Sequence, residues 1–207
     1  MNKSLFQSCQ YTISERGSRF ITYAYPVSTE NEITEALESC KKTWPDATHH
    51  CYAWRIDPEQ VHEYTNDDGE PSGTAGQPIL NEIRSWELIN VLVVVVRYFG
   101  GTKLGKPGLI DAYRTSTRKC LEQADISTIH PVRKLEVTFP YSEQKTVNQL
   151  QHKYGLKKEN EEYQAEVSWQ LSCPQDKAEN LISEIKHMTY RGINFKDLGS
   201  YYDKLKD

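Results

Sequence analysis

Two spacings of apolar residues alternate along this chain, one suited to strands and one to helices. Residues 18–25, SRFITYAY, are rich in aromatic and β-branched types and stop at Pro26, so they predict a strand. Thr29 followed by Glu32 makes a capping box, and Ile33, Ala36, Leu37 and Cys40 then fall on one face of a helix that Trp44 and Pro45 end. Residues 48–56, THHCYAWRI, alternate as a second strand, with His50, Tyr52, Trp54 and Ile56 on one face and His49, Cys51, Ala53 and Arg55 on the other. A loop rich in Asp, Gly, Pro and Ser runs from Tyr64 to Gly76. Pro78 suits the first turn of the next helix, whose apolar face is Ile79, Ile83 and Trp86. The run VLVVVV at 91–96 has no polar face, which predicts a strand buried on both sides. A glycine-rich loop from Arg97 to Gly108 follows, then a helix with Leu109, Ala112 or Tyr113, Ser116 and Cys120 inward.

After Pro131 the pattern restarts. Strands are predicted at 134–141, 156–164, 165–172 and 195–202, with helices at 143–154 (closed by Gly155) and 175–188. This β-α-β-β-α-β order is that of the ferredoxin-like split motif, a scaffold that hosts many functions. The expectation is an α+β protein of two domains, 1–131 and 132–207.

Composition narrows the function classes. The chain has 207 residues, 37% hydrophobic and 26% charged, enough to bury a core. Its longest apolar run is far short of the roughly 20 residues that span a bilayer, and the N-terminal residues lack a signal-peptide core. The expected setting is cytoplasmic, without a membrane partner. Five cysteines (Cys9, Cys40, Cys51, Cys120 and Cys173) with no C-x-x-C pair read as buried reduced thiols. The net charge is -4; residues 1–131 carry 13 basic and 17 acidic side chains, and the remainder 12 and 12. Any RNA contact must therefore come from a local patch.

Two loops carry the candidate chemistry. In DDGEPSGTAGQP (67–78), Asp67, Asp68 and Glu70 lie among glycines and prolines. Such a stretch makes a tight turn capped by its own side chains, or a surface for a cation or basic partner with Asp67, Asp68, Glu70 and Thr74. In RYFGGTKLGKPG (97–108), Gly100, Gly105 and Lys106 fit the start of a P-loop, but Pro107 stands where the metal-holding hydroxyl is required. What survives is an anion site built from Gly100, Gly101, Gly105, Lys103, Lys106 and a helix N-terminus. Alternatively the glycines only permit close packing. Arg97, ending a buried strand between the loops, is expected to anchor the acidic loop. His49 and Cys51 share a strand face; a metal site with Asp67 or Asp68 lacks the usual ligand spacing. A Cys51 nucleophile with His49 as base is set against a small buried thiol beside a strand histidine, the preferred reading. Tyr23, Tyr25, Tyr52 and Trp54 lie on strands and either pack or stack bases. No catalytic residues, metal ligands or cofactor motif form a coherent set.

DDGEPSGTAGQPIL, VLVVVVRYFGGTKLG and GLIDAYR, with SRFI and DATHHCYAWR upstream, closely resemble the signature of the IMPACT/YigZ family over nearly the whole chain. The resemblance implies an N-terminal α+β domain similar to the second domain of a small-subunit ribosomal protein and to domain IV of elongation factor G. It implies a ferredoxin-like C-terminal domain similar to the last domain of that factor. Eukaryotic members act in translational control by competing for an activator of an amino-acid-starvation kinase. For bacterial members, nucleic-acid or ribosome binding is the usual proposal. This chain departs at Asp111, where many members have arginine, and at Gly17, where a lysine is common. The function expected is a non-enzymatic binding protein touching RNA, the ribosome or a translation factor. The alternative is a metal-dependent hydrolase or phosphotransfer enzyme using Asp68, Glu70 and Arg97.

Overall fold

In the computed structural model, which describes residues 2–203, the order of elements begins with β1 (Lys3–Leu5), β2 (Cys9–Glu15), β3 (Ser18–Pro26), α1 (Glu30–Thr43) and β4 (His49–Ile56). It continues with β5 (His62–Asn66), α2 (Gly76–Ser85), β6 (Val91–Tyr98), α3 (Gly105–Leu121) and β7 (Ile126–Thr128). Then come β8 (His130–Phe139), α4 (Gln144–Tyr154), β9 (Lys157–Tyr163), β10 (Val167–Pro174), α5 (Gln175–Lys186) and β11 (Asn194–Asp203). The chain divides between Thr128 and Ile129 into two compact units. Among the described residues no helix is long and apolar enough to cross a membrane.

The first unit is built around β6, the middle strand of a five-stranded sheet ordered β2-β3-β6-β4-β5, with every neighbouring pair antiparallel. Val91, Val93 and Val95 face a core with Ile79, Ile83, Leu109 and Tyr113 from α2 and α3. Leu92, Val94 and Val96 face the opposite core with Ile33 and Cys40 of α1. This two-sided burial is why the strand carries no polar residue until Arg97; each such side chain contributes roughly 1.5–3 kcal/mol. At the start of α1 the Thr29 hydroxyl accepts from the Glu32 amide (3.2 Å), while the Glu32 carboxylate accepts from the Ser28 amide (2.6 Å).

Four strands and several boundaries differ from the hydrophobic pattern, among them the start of β8, which lies at His130 and not at 134. β2 and β5 are the sheet's edge strands and hold no fully buried residue, so their alternation is faint. β1 and β7 form a separate two-stranded ribbon of three residues each. β5 occupies the beginning of the loop expected from Tyr64. The second loop is also shorter than expected, since β6 runs through Tyr98 and α3 already starts at Gly105. Lys106, Pro107 and Gly108 therefore sit in the first helical turn, where proline loses no intrahelical hydrogen bond.

In the second unit all pairings are antiparallel in the order β11-β8-β10-β9. Leu135, Val137, Phe139, Trp169 and Leu171 of the two central strands pack against Val147 and Leu150 of α4 and Leu181 and Ile185 of α5. Gly155 ends α4 in the left-handed conformation (φ 66°). Because this unit has its own core, the fragment from Ile129 to the C-terminus, expressed alone, should give a dispersed amide spectrum with slow exchange in β8 and β10. A molten spectrum without protected amides would contradict an autonomous unit.

Candidate functional site

The loops at 67–75 and 99–104 emerge at the same end of the five-stranded sheet. That end is marked by Ser18 at the start of β3, His49 at the start of β4, Arg97 near the end of β6, and the N-termini of α2 and α3. The Glu70 carboxylate is its centre. Only 9% of Glu70 is exposed, and its Oε1 accepts from Arg97 Nη1 and from Tyr113 Oη (2.9 Å). His49 Nε2 lies 3.8 Å from the same oxygen, while His49 Nδ1 donates to the Asp68 carbonyl (2.7 Å). Arg97 also reaches Ser18 Oγ (3.3 Å), and its guanidinium lies between the rings of Phe20 (5.4 Å) and Phe99 (5.6 Å).

The other acidic residues of the loop hold backbone. Asp67 Oδ1 accepts from the amides of Ala75 (3.0 Å) and Gly76 (2.8 Å), and its Oδ2 from that of Gly73 (2.9 Å). Asp67 thereby neutralises the N-terminus of α2 from a distance in sequence. Asp68 Oδ2 accepts from the His50 amide (2.6 Å), tying the loop to β4. Thr74 donates its hydroxyl to the Pro71 carbonyl (2.6 Å) and is only 2% exposed. Of the four residues assigned to a partner surface, Glu70 and Thr74 are interior, Asp67 is half-buried and Asp68 is exposed.

Cys51 lies beneath the loop with its thiol 3.0 Å from the Asp67 carbonyl and 3.2 Å from Tyr113 Oη. Burial pushes the Cys51 thiol and the Tyr113 phenol well above their usual ranges, so both stay protonated. A protonated, inaccessible thiol is no nucleophile. Among the described residues no three His, Cys, Asp or Glu side chains are grouped to hold a metal ion.

The glycine loop behaves differently. Gly100 packs against the β2–β3 turn so closely that an added Cβ would lie 1.9 Å from the Gly17 carbonyl carbon. Its amide donates to Ser18 Oγ (3.2 Å), so Gly100 serves this close approach and does not face an anion. Gly101, Lys103, Gly105 and Lys106 are exposed, and among the described residues neither lysine has an ion-pair partner. The N-cap residues of α2 (Ala75) and α3 (Leu104) make no side-chain cap of their own, and the amides at the start of α2 are instead held by Asp67. Asp111 is paired with Arg114 one turn further on.

Sequence reasoning missed Tyr113, Ser18 and Arg19. The Arg19 guanidinium lies 4.6 Å from the Tyr98 ring and 5.8 Å from that of Trp44 on the sheet's other face. A signal was present in the SRF and DAY triplets, which meet through the edge-to-face contact of Phe20 with Tyr113 (5.2 Å).

Residues 16–121 match the Impact N-terminal domain, from the β2–β3 turn to the end of α3. The chain belongs to the IMPACT family. It is 42% identical over 124 residues to IMPACT family member YvyE of Bacillus subtilis, a match spanning 56% of this chain but only 57% of that protein. It is 32% identical over 178 residues to IMPACT family member YigZ of Escherichia coli, covering 84% of this chain and 87% of that one. A solved structure, "Crystal structure of an hypothetical protein", is similar with a TM-score of 0.65 at 28% identity, covering 93% of this chain and 95% of that one.

The packing of the glycine loop yields a prediction. Gly100→Ala forces backbone apart at the Gly17 turn and should destabilise the protein by about 3 kcal/mol, the upper range for overpacking. Gly101→Ala meets open space at φ +86° and should cost only about 1 kcal/mol of backbone strain. Urea denaturation of the two variants checks this; equal losses would contradict the contact.

Proposed function

We propose that this protein is a non-enzymatic, translation-linked binding protein that engages RNA phosphates at the N-terminus of α3. The observation that carries the reading is the contrast between two helix ends at one end of the sheet. Asp67 neutralises that of α2, whereas the N-cap residue of α3 makes no side-chain cap and, among the described residues, the flanking Lys103 and Lys106 have no ion-pair partner. An open N-terminus with its partial positive charge favours anions by about 0.3–1 kcal/mol, and two lysines add full charges. Gly101 and Gly105 let a phosphate approach the backbone. Exposed Arg19, stacked with Tyr98 and Trp44, supplies a planar surface of the kind on which unpaired bases stack.

Family membership supports the link to translation, because the resemblance ties these motifs to translational control and to ribosome-associated domains. The antiparallel order β11-β8-β10-β9, with both helices in one core, supports a ferredoxin-like reading of the second unit. A cytoplasmic location, with RNA, the ribosome or a translation factor as partner, accords with this reading. The hydrolase alternative would need Asp68 and Glu70 free to hold a metal with Arg97, yet Glu70 is buried against Arg97 and Tyr113 and Asp68 accepts from the His50 amide.

Titration of a short single-stranded RNA and of ATP at low and moderate salt tests the proposal. RNA binding should be weak and salt-sensitive. The Lys103→Ala, Lys106→Ala double variant should lower the salt slope by about 1.4, from about 0.7 per phosphate contact. Asp111→Arg frees Arg114 as well as reversing a charge, so it should strengthen binding. Equal RNA affinity for the native chain and the double variant at low salt would overturn the site.

A further inference from the structure

Cys9 lies on the edge strand β2 and Cys120 in the last turn of α3, 111 positions apart, yet their sulfur atoms are 3.5 Å from each other. Cys9 is partly exposed, whereas Cys120 is fully buried. Cys40, Cys51 and Cys173 are buried too, and none is in contact with a second cysteine among the described residues. We infer that Cys9 and Cys120 form a reversible intramolecular disulfide when the protein meets a hydroperoxide, stapling the sheet's edge to α3.

The geometry assigns the two roles. Only Cys9 is open to a small oxidant, so it reacts first. Its sulfur also sits 3.6 Å from the Cys120 carbonyl, while the Cys120 thiol is 3.7 Å from the Thr22 carbonyl. The thiol–thiol hydrogen bond lowers the pKa of Cys9 and raises that of Cys120, which favours the thiolate on the accessible partner. The Cys9 thiolate attacks one peroxide oxygen, an S–O bond forms, the O–O bond breaks, and the leaving hydroxide takes a proton to become water. Cys120 sulfur then attacks the Cys9 sulfenic acid sulfur; an S–S bond forms, the S–O bond breaks, and the departing hydroxide takes the Cys120 proton as a second water. Two electrons pass from two thiols to one peroxide. A disulfide needs the sulfurs at about 2.05 Å, so they must close by roughly 1.5 Å. β2 can supply that movement, because it is hydrogen-bonded on one side only, to β3.

Neither thiol belongs to the cluster around Glu70, so the inference is independent of the RNA reading. Its consequence is mechanical: the cross-link encloses most of the first unit and restricts the unfolded chain, raising thermal stability.

The test treats the full chain with graded hydrogen peroxide, blocks remaining thiols with N-ethylmaleimide under denaturing conditions, and maps peptides without reduction. The expected product is a Cys9–Cys120 linked peptide, lighter by two hydrogens and released by dithiothreitol, with Cys40, Cys51 and Cys173 alkylated. The oxidised protein should melt several degrees higher than the reduced one, and Cys9→Ser should abolish that rise. Cys120→Ala should leave a Cys9 sulfenic acid that dimedone traps. Should that buried substitution prevent folding, the peptide map of the native chain still decides. Cys9 advancing to sulfinic acid while Cys120 remains alkylated, a dimer linked through Cys9, or both thiols staying reduced would each overturn the inference.

Discussion

One buried carboxylate organises the functional end of this protein. Glu70 is taken out of water, and that loss is offset by partners that arrive from other elements: Arg97 on β6, Tyr113 on α3, and Ser18 through Arg97. An isolated charge in such a position is costly, so each partner is constrained to its place by the others. The glycines and prolines around Glu70 follow from this requirement. The chain must turn back on itself within a few residues to send the carboxylate inward while Asp67 and Asp68 cap backbone amides.

The same constraint separates structure from recognition. In the acidic loop Asp67 and Glu70 are engaged by internal contacts that hold the fold together, whereas Asp68 is exposed and gives one oxygen to the His50 amide. Exposed at that end are Lys103 and Lys106 at the start of α3, Asp68, and Arg19 over Tyr98 and Trp44. With a net charge of -4 the protein has no overall basic excess, so the RNA contact proposed above depends on this local patch.

Much of the fold is legible where burial is one-sided or complete. The capping at Thr29, the uniform apolar run of β6 and the glycine that ends α4 each leave a local mark, because the physical cause lies within a few residues. The edge strands β2 and β5 leave little trace, since a strand with no fully buried residue need not alternate cleanly. The α3 start is displaced because Pro107 and Gly108, usual marks of a loop, are tolerated in a first helical turn. At the candidate site the residue types were readable, but their partners were not. Which carboxylate meets Arg97, and that Tyr113 and Ser18 join it, depends on contacts 27 to 79 positions apart. The pairing of Cys9 with Cys120 is of the same long-range kind.

The central claim is that Glu70 and Arg97 act as one buried unit, and a double-mutant cycle measures that directly. Arg97→Met and Glu70→Gln each strand the other's charge and should each cost about 3 kcal/mol in urea denaturation at neutral pH. The combined variant, having no stranded charge, should be more stable than the sum of the two losses by about 2 kcal/mol or more. Additivity within about 0.5 kcal/mol would show that the two residues are independent and would contradict the account.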